Sequence, residues 1–173
     1  KGNLSIDPTI FELRAQLIEV LGPVEPSLAA WRRAADEARR RVGVAISNAE
    51  ATLQRLITED APSAQRVEAA MTLLTYGRRM ASTLSALTAA RATGELMPLG
   101  AEPDAIASRL EALAATLDGT AASAALSPMA AEASAANVTD ITVMPASLQA
   151  AQLERLRTQL AVLQRAVGRY QSA

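Results

Sequence analysis

At 173 residues the chain has the length of one domain and is long enough to bury a core. Its 17 basic and 18 acidic residues leave a net charge of −1, so there is no overall basic field to recruit nucleic acid. Histidine and cysteine are absent, which removes Ser-His and Cys-His nucleophiles, the usual zinc sites, the Glu-x-x-His pattern of di-iron bundles and any disulfide framework.

Half of the residues are hydrophobic, yet only Phe11, Trp31, Tyr76 and Tyr170 are aromatic. A core of that composition has to come from closely approaching helices with Leu, Val and Ile in the seams. Lys1 is the only lysine, and the start at Lys1 without Met is the expectation of an excised fragment. No apolar run approaches the eighteen or so residues that span a bilayer.

Taken in order, Asp7-Pro8 predicts a helix start, with Asp7 as the N-cap and Pro8 in the first helical position. Phe11, Leu13, Leu17, Ile18 and Leu21 follow as the apolar face, and Gly22-Pro23 ends the segment. Residues 1–26 read as a short helix and connector, either packed on the bundle end or leading toward a membrane. Ser27 opens a second helix to about Asp60. It carries a seven-residue repeat through Leu28, Trp31, Ala35, Ala38, Val42, Ala45 and Ala49 that shifts by one position at Leu53 and Leu56. Gly43 inside it costs about 1 kcal/mol of helix propensity, which packing has to offset.

Pro62-Ser63 marks a turn. The third helix then runs to about Thr93 with Val67, Ala70, Leu74, Gly77, Ala81, Leu84 and Thr88 in register, broadened by Leu73, Met80 and Leu87. So short a join predicts an antiparallel hairpin. A fourth helix is expected from Pro103 or Asp104, with Ile106, Leu110, Leu113 and Leu117, until Gly119. Residues 119–146 form an Ala/Ser-rich long connection, with a short helix expected around 128–136 and an extended stretch over 138–144. Pro145 and Ser147 open the last helix, whose Leu153, Leu156, Leu160, Leu163, Val167 and Tyr170 repeat is the cleanest in the chain. The fold class is all-α: a single domain, 1–173, built as an antiparallel bundle of four long helices plus a short N-terminal one.

The most specific stretch is Asn48-Ala-Glu50-Ala-Thr-Leu53-Gln54-Arg55-Leu56-Ile57-Thr-Glu59. Ala45, Ala49, Leu53, Leu56 and Ile57 make an apolar stripe beside a polar row of Asn48, Arg55 and Glu59. Arg39-Arg40-Arg41 precedes this run, and Tyr76-Gly77-Arg78-Arg79 follows on the next helix. Together these motifs resemble the cytoplasmic helical domain of the fusaric acid resistance (aromatic acid exporter) family of bacterial inner-membrane proteins. That family joins an Arg-rich helix, ending in an Asn-Ala-Glu-Ala-x-Leu-Gln-Arg run, to a helix with paired arginines. The resemblance covers about residues 27–93; Asp60 and Ala61 stand before Pro62, where the family often has Pro directly after the Glu. It implies efflux of small aromatic or hydrophobic organic acids, with the translocation pathway outside this chain and the domain on the cytoplasmic side of the inner membrane.

No reactive constellation competes with that reading. Phosphate-binding glycine motifs are missing, no cofactor is called for, and no catalytic or metal residues are identified. Glu50 and Glu59 lie nine residues apart, about 13 Å along a helix, too far for shared acid/base work. The Arg32-Arg33 and Arg39 to Arg41 clusters read first as a solvated face paired with Asp36 and Glu37, then as a basic patch near anionic lipid. The candidate site is therefore an interhelical polar seam of Asn48, Glu50, Gln54, Arg55, Glu59, Tyr76, Arg78 and Arg79, with Glu50 or Glu59 expected to meet Arg78 or Arg79. Trp31 reads as a core anchor at the bundle end. The partners expected are membrane helices of the same polypeptide, a second copy and an anionic membrane surface. Two other functions fit the composition: a free-standing or secreted helical adaptor that binds another helical protein, and a ligand-binding sensor with a pocket of Met71, Met80 or Trp31.

Overall fold

The computed structural model describes residues 6–22, 27–59, 62–94, 99–119 and 145–173. Five helices account for nearly all of them: α1 Asp7–Leu21, α2 Leu28–Glu59, α3 Ala64–Ala92, α4 Glu102–Leu117 and α5 Pro145–Ser172. No strand occurs among the described residues, and the all-α class stands. The helix and the extended stretch expected at 128–136 and 138–144 lie outside the described residues.

The ends follow local chemistry. Ser27 Oγ accepts from the Ala30 amide at 3.1 Å and caps the helix it was expected to open, and Ser63 Oγ, expected only as part of a turn, accepts from the Arg66 amide at 3.2 Å and caps α3. Gly94 and Gly119, at φ 77° and 75°, follow the ends of α3 and α4 in the left-handed conformation that stops a helix. At α1 the expectation fails by one residue. Asp7 is the first helical residue, and Ile6 takes the cap position with no side-chain capping bond. Burial of the Ile6 side chain draws that residue into the core, while Asp7 still places its charge at the positive end of the helix.

Side-chain bridges define the topology. Arg32 reaches the Ala92 carbonyl and Glu50 meets Arg78, so α2 and α3 form the expected antiparallel hairpin along their whole length. α1 runs antiparallel to α2, with Arg41 on Glu12 at 3.0 Å and Trp31 on the Glu19 carbonyl at 2.9 Å. Arg14 to Glu111, at 3.1 Å, ties α1 to α4. Thr83 to Gln159 and Arg66 to Tyr170 pair α3 antiparallel with α5. α4 and α5, in contrast, run parallel: Glu102 meets Arg157, and Gln171 meets the Thr116 carbonyl. Consecutive ends of α4 and α5 therefore lie at opposite ends of the bundle. α1, α3, α5 and α4 close a ring, and α2 lies outside it against α1 and α3.

α1 is thus no appendage. It touches α2, α3 and α4, and Ile10, Leu13, Leu17 and Val20 are fully buried. Four such aliphatic side chains contribute on the order of 6–12 kcal/mol of burial, enough to make this 15-residue helix integral to the core. Phe11 and Ile18, expected on its inner face, point outward at 56 % and 41 % exposure, whereas Thr9 and Gln16 are buried. The helix has two apolar stripes, and the one bearing Ile10 and Leu17 packs more completely against three neighbours.

On α2 the buried seam runs through Trp31, Ala35, Ala38, Val42, Ile46, Ala49, Leu53 and Leu56. Ile46 takes the place expected for Ala45, so the shift in repeat falls between Val42 and Ile46, around Gly43. An added four-residue step turns the seam around the helix, here where α2 passes the first turn of α1. Leu28 and Ile57 stay exposed.

Candidate functional site

The α2–α3 hairpin brings part of the polar seam together. Glu50 Oε1 and Arg78 Nη2 form an ion pair across the two helices, and both groups retain contact with solvent. Gln54 lies on the same side, one turn further along. Asn48 and Arg55 do not join them. They flank Thr52 on another face of α2, where Thr52 Oγ1 donates to the Asn48 carbonyl at 2.8 Å and Arg55 reaches Thr52 at 3.5 Å. Tyr76 packs half-buried against the core, and the Arg79 guanidinium stacks over its ring at 4.8 Å. Glu59 closes α2, and its side chain lies outside the described residues. The seven described seam residues thus divide among separate faces: on α2 the two-residue step from Asn48 to Glu50 crosses to the other side of the helix, whereas steps of four and seven return to nearly the same side.

Beside the Glu50–Arg78 pair the hairpin leaves a groove of about 430 Å³. Leu53 and Leu74 form its buried floor, and Ile57 and Met71 its exposed rim. Of the residues expected to line a ligand-sensor pocket, Met71, Met80 or Trp31, only Met71 reaches the groove, and Met80 and Trp31 are fully buried in the core.

The arginine-rich segment of α2 is partnered locally. Arg39 pairs with Asp36 at 3.6 Å, Arg40 with Glu37 at 2.5 Å, and Arg41 with both Glu12 and Glu37. Pairs this exposed contribute at most about 1 kcal/mol each. Their effect is to neutralise the face.

Sequence reasoning passed over the most consequential cation, Arg91. It donates from Nη1 to the Val20 carbonyl and from Nη2 to the Gly22 carbonyl at 2.6 Å, and it covers the Trp31 ring at 5.2 Å. Desolvation lowers its pKa, opposed by the charge of Glu19. Arg91 therefore caps the carbonyl end of α1 from α3, while Arg32 caps α3 and Gln171 caps α4 in the same manner. A basic residue in the last turn of α3 was the available signal. Trp31 occupies the core position expected of it at this end of the bundle.

Among the described residues no group of three or more metal-ligating side chains converges, and no helix is long and apolar enough to cross a membrane. None of the family models, curated proteins or solved structures compared with the chain matches it.

Proposed function

We propose that the chain is a non-catalytic helical domain of a bacterial inner-membrane efflux transporter resembling aromatic acid exporters. In this reading it sits on the cytoplasmic side beside membrane helices of its own polypeptide and serves assembly or regulation. The observation that carries the reading is the Glu50–Arg78 pair. It joins the Asn48 to Glu59 run to the paired arginines of α3, and so supplies a physical reason for both motifs to occur in one hairpin.

The test is genetic and direct. Hydrophobic spans should be encoded in the same reading frame as this domain. Deleting the gene should lower tolerance to aromatic carboxylic acids and raise their accumulation in the cell. Removing only the helical domain should have the same effect while the membrane part still inserts. A frame without such spans, or unchanged tolerance across a panel of these acids, would sink the reading and leave a helical adaptor in its place.

A further inference from the structure

α3 and α5 are the most one-sided helices in charge: each carries four arginines and a single glutamate, Glu68 or Glu154. Half of those arginines are spent within the bundle. Arg78 meets Glu50, Arg91 holds the carbonyls that end α1, Arg157 binds Glu102 and Glu154, and Arg66 lies on the Tyr170 hydroxyl and ring. The other four follow the seam where α3 and α5 pack. Thr83 and Gln159 meet across that seam at 3.1 Å. Arg79 and Arg155 stand four residues before them, one turn away on nearly the same faces. Arg165 and Arg169 border a shallow depression with Gln65 of α3. Glu68 engages Arg169 at 3.8 Å. Arg79 has only the Tyr76 ring, and Arg155 and Arg165 have no carboxylate within ion-pair reach among the described residues. All three are exposed. The start of α3 lies beside the end of α5, so their opposed helix dipoles offset each other there. With both glutamates taken, the seam stays basic.

We propose that this seam docks an acidic helix of a partner protein. From Arg155 to Arg169 the basic positions span fourteen residues of α5, about 21 Å, which matches about four turns of a helix laid along the seam. Its Glu or Asp side chains pair with Arg79, Arg155 and Arg165. Two other polyanions fit less well. An anionic bilayer is held by inserted apolar side chains as well as by charge. Of the exposed large hydrophobics, α5 supplies only Leu148, and α3 only Met71, which faces the α2–α3 groove. Single-stranded nucleic acid stacks on open aromatic rings. Both tyrosines of this flank lie under arginine, Tyr76 under Arg79 and Tyr170 under Arg66.

The whole chain is titrated with a labelled alanine–glutamate helical peptide of about five turns, and with its alanine–lysine counterpart. Fluorescence anisotropy should report binding of the glutamate peptide alone, weakening as salt rises. The Arg155→Gln, Arg165→Gln pair should reduce binding at least about tenfold, whereas the Arg33→Gln, Arg39→Gln pair on α2 leaves it unchanged. All four side chains are exposed, so both variants should keep the parent unfolding midpoint. No binding, equal binding of the lysine peptide, or full binding by the Arg155→Gln, Arg165→Gln variant would overturn the proposal. It would equally fall if duplex DNA or phosphatidylglycerol vesicles bound through the same two arginines more tightly than the peptide, or if those arginines held a dimer together.

Discussion

Gln16 shows how much a single residue can reveal about α1. Its side chain is fully buried, and neither Oε1 nor Nε2 meets a hydrogen-bond partner among the described residues. A buried amide left unsatisfied costs about 1–3 kcal/mol, so Gln16→Met, similar in shape and free of that penalty, should stabilise the fold by a comparable amount in urea unfolding. A loss of stability would show instead that the amide is hydrogen-bonded in solution. The glycines make a contrasting pair. A Cβ at Gly43 would meet nothing, so Gly43→Ala should gain about 1 kcal/mol of helix propensity. At Gly22 the added carbon would run into the Ile18 carbonyl oxygen, and Gly22→Ala should lower the thermal midpoint. None of this separates on paper. Phe11 and Ile10 are neighbours of equal apolar character, and only the positions of α2, α3 and α4 decide which is buried.

Among the elements, α1 depends on help from outside itself. No basic residue lies in its own last turn, and its terminal carbonyls are met by Arg91 of α3. Arg91→Ala should cost about 2–4 kcal/mol by removing two charged hydrogen bonds and the cover over Trp31, and Arg91→Lys should recover only part of that. Hydrogen exchange should then rise first at the C-terminal turn of α1. The Glu50–Arg78 bridge belongs to a weaker class. A double-mutant cycle on Glu50→Ala and Arg78→Ala should give a coupling of about 0.2–1 kcal/mol, reduced by salt, because both groups are open to water. The hairpin itself was legible, since Pro62-Ser63 leaves α2 and α3 no room to do other than fold back. The split of the seam was not: Asn48 and Glu50 differ by two residues, and the side chains end on different faces.

For the molecule as a whole, the decisive feature is the parallel pair α4 and α5. Glu102 is level with Arg157, and Thr116 with Gln171, so Leu117 and Pro145 stand about 40 Å apart along the bundle at 1.5 Å per residue. Crossing that distance takes at least about twelve residues, even fully extended. Replacing residues 120–144 with a Gly/Ser linker of about six residues should therefore abolish the monomeric fold, and one of about sixteen should preserve it. Circular dichroism and sedimentation would distinguish the two. A short linker that leaves both unchanged would refute the parallel arrangement. The length of this Ala/Ser-rich connection was plain from the sequence, but its reason becomes clear only when both helices are placed.

Helix existence, approximate ends, the apolar faces of α3 and α5 and most of that of α2 were determined by the sequence alone. Those properties rest on capping serines, glycine stops and periodicities within one or two turns. Tertiary structure decided that α1 sits inside the bundle, that Arg91 caps it, and that Phe11 is left facing solvent. Each of these depends on which distant segment becomes the neighbour, and local spacing carries no record of that choice.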